Sequence, residues 1–133
     1  MAEQRALVLI NGQIQELPIG DTLADVSSGS TMIQTEITAT AYSTVNGDFS
    51  GNVIRRMNNT SAQTITVVPS MTGGQPATFI ATGTGKVTFA AGIGVTIHSA
   101  GGKLSIAARY GSATLIPDVN TANTYYLVGH LTT

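Results

Sequence analysis

The sequence predicts an all-β fold, a small antiparallel β-sandwich or barrel that follows an N-terminal arm. Threonine is the most abundant residue, at 20 of 133 positions, and glycine occupies 15. β-Branched side chains such as threonine favour strands, and glycine permits tight turns. From residue 34 onward, short alternating segments and turn signals follow one another roughly every 8–12 residues, a spacing typical of sandwiches and barrels.

The N-terminal arm is predicted over residues 1–33 and begins with a hairpin. An apolar run is followed by Asn11 and Gly12, the strongest signal for a two-residue hairpin turn, and then by a partner segment. Pro18 ends this partner, because proline has no N–H to donate to a ladder. The rest of the arm is small and polar. Within it, residues 22–26 are compatible with one helical turn and with extended chain.

The β-domain is predicted over residues 34–133 as a series of short strands. Each strand ends at a turn rich in glycine or asparagine, or at a proline. No segment of this region carries an apolar stripe at helical spacing, so helices are not expected. The predicted strands are residues 36–45, 52–57, 63–68, 77–82, 86–90, 95–99, 103–108, 112–116 and 124–130.

Charged residues are scarce and nearly balanced, which bears on the class of partner. They make up 10% of the chain, with six Lys or Arg against seven Asp or Glu, whereas an average soluble domain has about 25%. Six scattered cations do not supply the basic footprint of a nucleic-acid binder. The apolar run at residues 6–10 is too short for a signal peptide or a membrane helix. So little charge indicates a subunit that buries its exterior against copies or partners.

No sequence motif indicates catalysis or a cofactor. Cysteine is absent, which excludes disulfides and thiolate metal sites. The segment from Gly83 to Lys86 resembles a phosphate loop, but Ile80 stands where that loop needs glycine and Val87 where it needs Ser or Thr. The sequence contains no nucleophile elbow and no metal-ligand spacing, and nothing in it pairs two carboxylates. We therefore expect no enzyme activity, no cofactor and no metal.

Three residues are candidates for contacts between subunits. Arg55 and Arg56 are consecutive in a predicted strand, so their side chains point to opposite faces. One of them then points inward and needs a carboxylate or carbonyl partner, which a subunit interface supplies. The alternative is an edge strand with both arginines in solvent. His98 is compatible with a metal shared across a three-fold axis, and equally with an ordinary hydrogen-bonded histidine.

Several segments resemble structural proteins of tailed-bacteriophage virions. Residues 6–23 resemble an N-terminal segment found on such proteins, and residues 56–67 and 85–97 resemble the small β-domain that follows it. The stretch Leu-Ser-Ile-Ala-Ala-Arg-Tyr-Gly and the final Tyr-Tyr-Leu-Val-Gly strand also match. The resemblance implies a homotrimeric, non-enzymatic protein that is assembled into the virion in the bacterial cytoplasm.

This resemblance leads to one expected function and two alternatives. A capsid decoration or head-fibre protein is expected, because the chain is short and has no fibre shaft. Its arm would bind the major capsid protein or another virion protein through Leu7, Leu9, Ile14 and Leu17, because a lone hairpin is marginal in water. The main alternative is a tail-fibre or receptor-binding tip that binds a host-surface ligand, for example a glycan. A glycan hydrolase is a weaker alternative, since no carboxylate pair is evident.

Overall fold

The chain divides into two compact units, Met1–Thr31 and Met32–Thr133. The computed structural model describes residues 31–133 and, for the backbone alone, strands β1 (Leu7–Leu9) and β2 (Ile14–Glu16). These two strands pair antiparallel, which confirms the hairpin predicted in the arm. The side chains proposed to bind a virion partner fall outside the described residues; they are Leu7, Leu9, Ile14 and Leu17.

The second unit consists of short strands joined by turns, as predicted. Two 3-10 turns, Asn46–Phe49 and Ala100–Gly102, are its helical segments within residues 31–133. The strands are β3 (Ile33–Ile37), β4 (Ala41–Ser43), β5 (Val53–Met57), β6 (Gln63–Val67), β7 (Ala77–Ala81), β8 (Val87–Ala91), β9 (Thr96–Ser99), β10 (Ser105–Ile106), β11 (Ser112–Pro117), β12 (Thr124–Gly129) and β13 (Leu131–Thr132).

The first six of these strands wind as three coils of a β-solenoid. Each coil places one strand in a six-stranded sheet and the next in a five-stranded sheet, in the pairs β3/β4, β5/β6 and β7/β8. Neighbouring coils pair in parallel within both sheets. Ile33 lies against Val53 and Ile54 against Thr78, so successive coils are offset by 20 and 24 residues.

The remaining strands close the far end of the solenoid with mostly antiparallel pairing. In the six-stranded sheet, β11 pairs antiparallel with β7 and with β12, and β9 lies parallel to β12 at the edge. In the five-stranded sheet, β10 pairs antiparallel with both β8 and β13. The resulting sheet orders are β3-β5-β7-β11-β12-β9 and β13-β10-β8-β6-β4.

The predicted antiparallel sandwich or barrel is wrong in topology, although the all-β class is confirmed. The segment predicted as one strand, residues 36–45, is two strands in different sheets. A short turn after a strand can reverse the chain within one sheet or carry it across to the facing sheet. Alternation and turn residues look the same in both cases, because both use short strands that are half-buried. Here the turns within each coil cross between the sheets.

The core lies between the two sheets and is built from alternate residues of each strand. Phe79 is fully buried at its centre, with Phe89 edge-on at 5.4 Å and Tyr42 edge-on at 6.5 Å between ring centroids. Phe49 and Tyr125 form a second aromatic pair, 5.5 Å apart. Burial of these rings, with aliphatic side chains from every coil, stabilises the solenoid through the hydrophobic effect.

Turns from successive coils stack at one corner of the solenoid, and the turn that begins at Asn58 and Asn59 lies in the middle of this stack. Asn59 donates from its side chain to the carbonyl of Thr38 in the coil before, at 2.7 Å. Its own carbonyl accepts the Gly85 N–H of the coil after, at 2.8 Å. Gln63, which is buried, donates to the carbonyls of both Ile37 and Ala39 at 2.9 Å. Side chains thus satisfy backbone groups that would otherwise be buried without partners.

Candidate functional site

The outer face of the six-stranded sheet carries exposed apolar side chains on two neighbouring strands. Ile116, Tyr126 and Val128 are exposed to 36%, 42% and 46% on the neighbouring strands β11 and β12. Ile116 and Tyr126 are direct cross-strand partners. Ile54 and Ile80, which are half-buried, extend the face across β5 and β7. We call this surface the outer sheet face. Thr78 and Thr114 lie between these two groups of apolar side chains and share a hydrogen bond at 3.1 Å. Exposed apolar side chains grouped in this way are typical of an interaction surface.

Arg56 lies toward one margin of the outer sheet face. Its guanidinium is 3.8 Å from the Glu36 carboxylate, and the two side chains are 39% and 40% exposed. The other oxygen of Glu36 accepts a hydrogen bond from the Asn58 side chain at 2.8 Å. The Nε of Arg56 is buried and has no hydrogen-bond partner. Arg56 is therefore oriented outward and is only loosely paired.

His98 lies at the opposite margin, stacked on Tyr126. The two ring centroids are 5.8 Å apart, and Tyr126 donates its hydroxyl to Asp118 at 2.8 Å. Hydrogen bonds from the Asn120 backbone N–H and from Tyr126 lower the pKa of Asp118. The same bond to Asp118 raises the pKa of Tyr126. This cluster presents an imidazole, a phenol and a carboxylate on an exposed strand edge.

The metal site considered for His98 would need ligands from other subunits. In the described part of the chain, histidine and carboxylate side chains do not gather in groups of three or more that could hold a metal ion. His98 and Arg56 nevertheless lie on the same face of the sheet, because β9 and β5 both present them outward. Two of the three predicted inter-subunit residues are thus brought to one surface.

Arg55 points the other way, into the solenoid, where Asp48 accepts its Nε–H. The Asp48 side chain is only 1% exposed and that of Arg55 14%. Tyr42 donates its hydroxyl to both oxygens of Asp48, at 3.0 and 2.9 Å, and the Val45 N–H donates at 3.0 Å. The inward arginine therefore finds its carboxylate within its own chain. We call Tyr42, Asp48 and Arg55 the buried ionic network.

The buried ionic network is suited to holding the chain in place. Three hydrogen bonds from neutral groups and the ion pair with Arg55 occupy both oxygens of Asp48, so neither is left to act as a base or nucleophile. Burial, and then the charge of Asp48, raise the pKa of Tyr42 to about 12. The network ties β4, the 3-10 turn and β5 together where the first coil passes into the second.

Asp48 is not identified as a buried partner of Arg55 in the sequence analysis. A signal was present in the sequence. An arginine at an inward strand position needs a carboxylate, and Asp48 is the acidic residue nearest to it along the chain. The turn also contains Phe49, which is 1% exposed. A large aromatic in a polar turn indicates that the turn folds back onto the core, and this carries the neighbouring carboxylate inward.

The outer face of the five-stranded sheet differs from the outer sheet face in composition. It presents small side chains from β4, β6 and β8, and Thr88 exchanges a hydrogen bond with Ser105 at 2.9 Å. Thr64 is exposed in the middle of it. The two faces of the solenoid are therefore distinct, and the apolar one is the better candidate for contact with other chains. The small residues of this face are Ala41, Ser43, Thr64, Thr66, Thr88, Ala90 and Thr132, together with Ser105, which is buried.

Comparison of the chain with protein-family models, with curated proteins and with solved structures found no match. None of the helical segments in residues 31–133 has the length and apolarity needed to cross a membrane. A proposal about function therefore rests on the sequence resemblance described above and on the surfaces of the solenoid.

Proposed function

We propose that this chain is a non-enzymatic structural protein of a tailed-bacteriophage virion, most consistent with a capsid decoration or head-fibre protein. In this proposal the arm docks on the particle and the solenoid is displayed as a homotrimer. The observation that carries the proposal is the outer sheet face, where exposed Ile116, Tyr126 and Val128 lie together on paired strands. The resemblance of residues 6–23, 56–67 and 85–97 to virion proteins supports the same function.

The outer sheet face is the proposed trimer interface. Its apolar side chains lie on both sides of the hydrogen-bonded pair Thr78 and Thr114, while Arg56 and His98 lie toward its margins. Interfaces commonly combine apolar contacts with polar groups that fix the orientation of the partners. Arg56 also keeps a buried Nε–H without a partner in the single chain. The exposed part of the Arg56 side chain is accessible to an acceptor from a neighbouring subunit.

Replacing Val128 with lysine tests the interface. We expect Val128→Lys to convert a trimer into monomers, because a charge placed in an apolar contact is desolvated without a partner. Thr64→Lys, on the outer face of the five-stranded sheet, is the matched control and should stay trimeric. Sedimentation equilibrium gives the mass, and far-UV circular dichroism verifies the strands. A monomeric parent protein, or equal loss of trimer in both variants, would contradict the proposed interface.

The arm is the proposed attachment to the particle. Leu7, Leu9, Ile14 and Leu17 give it more apolar side chains than a lone hairpin can bury. Strand addition or groove docking on the major capsid protein, or on another virion protein, would cover them. Three arms per trimer would bind with avidity even if each contact is weak. A subunit that bridges neighbouring capsid proteins adds its binding free energy to the stability of the shell.

Virus particles that lack this protein can distinguish a role on the capsid from a role at the tail. For a decoration protein, we expect these particles to release DNA at a lower temperature than the parent and still to adsorb to cells. Adding back the full chain should restore heat resistance, whereas residues 32–133 alone should not. A tail-fibre or receptor-binding tip predicts the reverse: unchanged heat resistance and lost adsorption. Degradation of host-surface glycan by the purified protein would overturn both functions.

A further inference from the structure

We propose that Ile93 of one subunit inserts into an apolar cleft beside Val128 of the next subunit, and that three such contacts close the trimer. This inference rests on the proposed function, because it names two surfaces that meet in the homotrimer. Ile93 lies in the turn between β8 and β9. The cleft has a volume of about 260 Å³ and lies where β9 and β12 end. We call it the Val128 cleft.

Ile93 is the most exposed large apolar side chain of residues 31–133, at 93%. The chain reverses here in a tight turn, where the Val95 N–H donates to the Gly92 carbonyl at 3.1 Å and Gly94 has a φ of 80°. This is a type II turn, and its second position, which Ile93 occupies, favours proline and does not require an aliphatic side chain. Neither turn chemistry nor burial within the described part of the chain therefore explains an isoleucine at this position.

The turn is fixed on both sides, so Ile93 is presented in one position. Before the turn, the Gly92 N–H donates to the Val67 carbonyl of the preceding coil at 2.9 Å. After the turn, the Thr96 N–H donates to the Asn123 carbonyl, also at 2.9 Å. A segment that is already ordered spends less binding energy on immobilising its own groups. An exposed apolar side chain on such a turn is suited to insertion into a preformed cleft.

The Val128 cleft is apolar and is large enough for an aliphatic side chain. Leu127, which is buried, and Val128, which is partly exposed, both line it. Ala100 and Leu131 add apolar walls, and Lys103 is the one charged residue of the lining within residues 31–133. A cavity of about 150 Å³ holds benzene, so the volume of the cleft accommodates the branched side chain of isoleucine. Insertion removes apolar surface of both subunits from water, which favours association.

The turn and the cleft lie at opposite ends of the same two strands, as a closed ring of subunits requires. β9 runs parallel to β12 over Thr96–Ser99, with Ile93 before these strands and the Val128 cleft after them. A ring joins two different surfaces of neighbouring copies, whereas a two-fold dimer joins one surface to itself. A ring around an axis along the direction in which the coils stack therefore brings the turn of one subunit to the cleft of the next.

Two further features favour a second copy of the chain as the occupant of the cleft. Val128 belongs both to the cleft and to the outer sheet face, so the cleft is continuous with the proposed interface. The charges are also complementary. The ion pairs within residues 31–133 involve neither Lys103, in the cleft, nor Asp118, on the loop whose Asn123 binds the segment after the Ile93 turn. Opposite charges at the rim of a contact fix its register.

Cysteine cross-linking tests the contact directly, because the full-length chain has no cysteine of its own. Ile93→Cys combined with Ala100→Cys places one thiol on the turn and one in the cleft. Strand β9 keeps these positions of a single chain more than about 10 Å apart, too far for a disulfide within the chain. After mild oxidation we expect a covalent trimer in non-reducing denaturing gels, which reductant returns to monomers. Ile93→Cys combined with Thr64→Cys is the matched control and should not cross-link.

Ile93→Ser measures the contribution of the side chain to assembly. Serine is common in turns, so the variant should fold, and circular dichroism verifies its strands. In sedimentation experiments, its trimers should dissociate at a protein concentration about tenfold or more above that of the parent. Val45→Ser removes a different exposed aliphatic side chain, between β4 and the first 3-10 turn, and should leave this concentration unchanged.

The outcomes separate this contact from the proposed trimer itself. A monomeric parent protein would contradict the homotrimer and the contact together. If the parent is trimeric but Ile93→Cys with Ala100→Cys cross-links no more than its control, the cleft is left to another virion protein and the contact alone is overturned. Cross-linking that ends at a dimer would indicate a two-fold contact in place of a ring. Unchanged assembly of Ile93→Ser would likewise overturn the contact.

Discussion

Asp48→Ala is expected to destabilise the solenoid by about 3–5 kcal/mol, because it removes one partner of a buried ion pair. Arg55 would keep its charge in a position only 14% exposed. The Tyr42 hydroxyl and the Val45 N–H would lose their acceptor at the same time. Urea denaturation followed by circular dichroism gives the free energy of unfolding. The midpoint should fall sharply while the slope stays constant.

Glu36→Ala is the matched control for this loss. It breaks the ion pair between Glu36 and Arg56, whose side chains are 40% and 39% exposed, respectively. Because the pair is exposed, the free energy of unfolding should fall by less than about 1 kcal/mol. A triple variant that replaces Tyr42, Asp48 and Arg55 with Phe, Leu and Met should recover much of the lost stability, since it leaves no buried charge. If Asp48→Ala costs no more than Glu36→Ala, the buried ionic network does not hold the first two coils together.

The strand positions could be predicted from the sequence because each strand obeys a local rule. Residues 63–68 and 77–82 alternate between buried and outward positions and end at a turn or a proline, and β6 and β7 lie there. The direction in which each turn leads the chain is not a local property. It depends on which strand of another coil accepts the next set of backbone hydrogen bonds, and alternation cannot reveal this.

The candidate functional residues likewise depend partly on the local sequence and partly on long-range packing. That Arg55 and Arg56 face opposite sides follows from the two-residue period of a strand, and the structure confirms it. The partner of Arg55 and the neighbours of Arg56 depend on long-range packing.

Gly83 and Gly85 lie in a turn that the local sequence predicts, but the reason that they must be glycine is not local. The sequence indicated a glycine-rich turn there, and the structure has one between β7 and β8. Turn chemistry alone explains glycine by a positive φ, yet neither Gly83 nor Gly85 has one. Both are instead packed against the backbone of the preceding coil at Asn59 and Ser61. The requirement for glycine comes from the stacking of coils, which no single turn can reveal.

Gly85→Ala is therefore expected to be as damaging as loss of the buried carboxylate, at about 3–5 kcal/mol. A Cβ at residue 85 would overlap the Ser61 carbonyl and lie 2.9 Å from the Asn59 oxygen. These are backbone atoms of the neighbouring coil and cannot rotate away. The coils would have to separate at this corner, which breaks the Gly85–Asn59 hydrogen bond and the adjoining one between Gln63 and Lys86.

Gly47→Ala is the control, because a Cβ there meets no atom within 4 Å and its backbone φ is not positive. It should change the free energy of unfolding by less than about 1 kcal/mol, toward greater stability, since alanine has fewer unfolded conformations to lose. Amide hydrogen exchange adds a local readout for Gly85→Ala. Protection should fall first at Gln63, whose N–H bonds across the corner, and later at Phe79 in the core. Equal stability of the two alanine variants would mean that the coils can separate at this corner at little cost, contrary to the close packing described here.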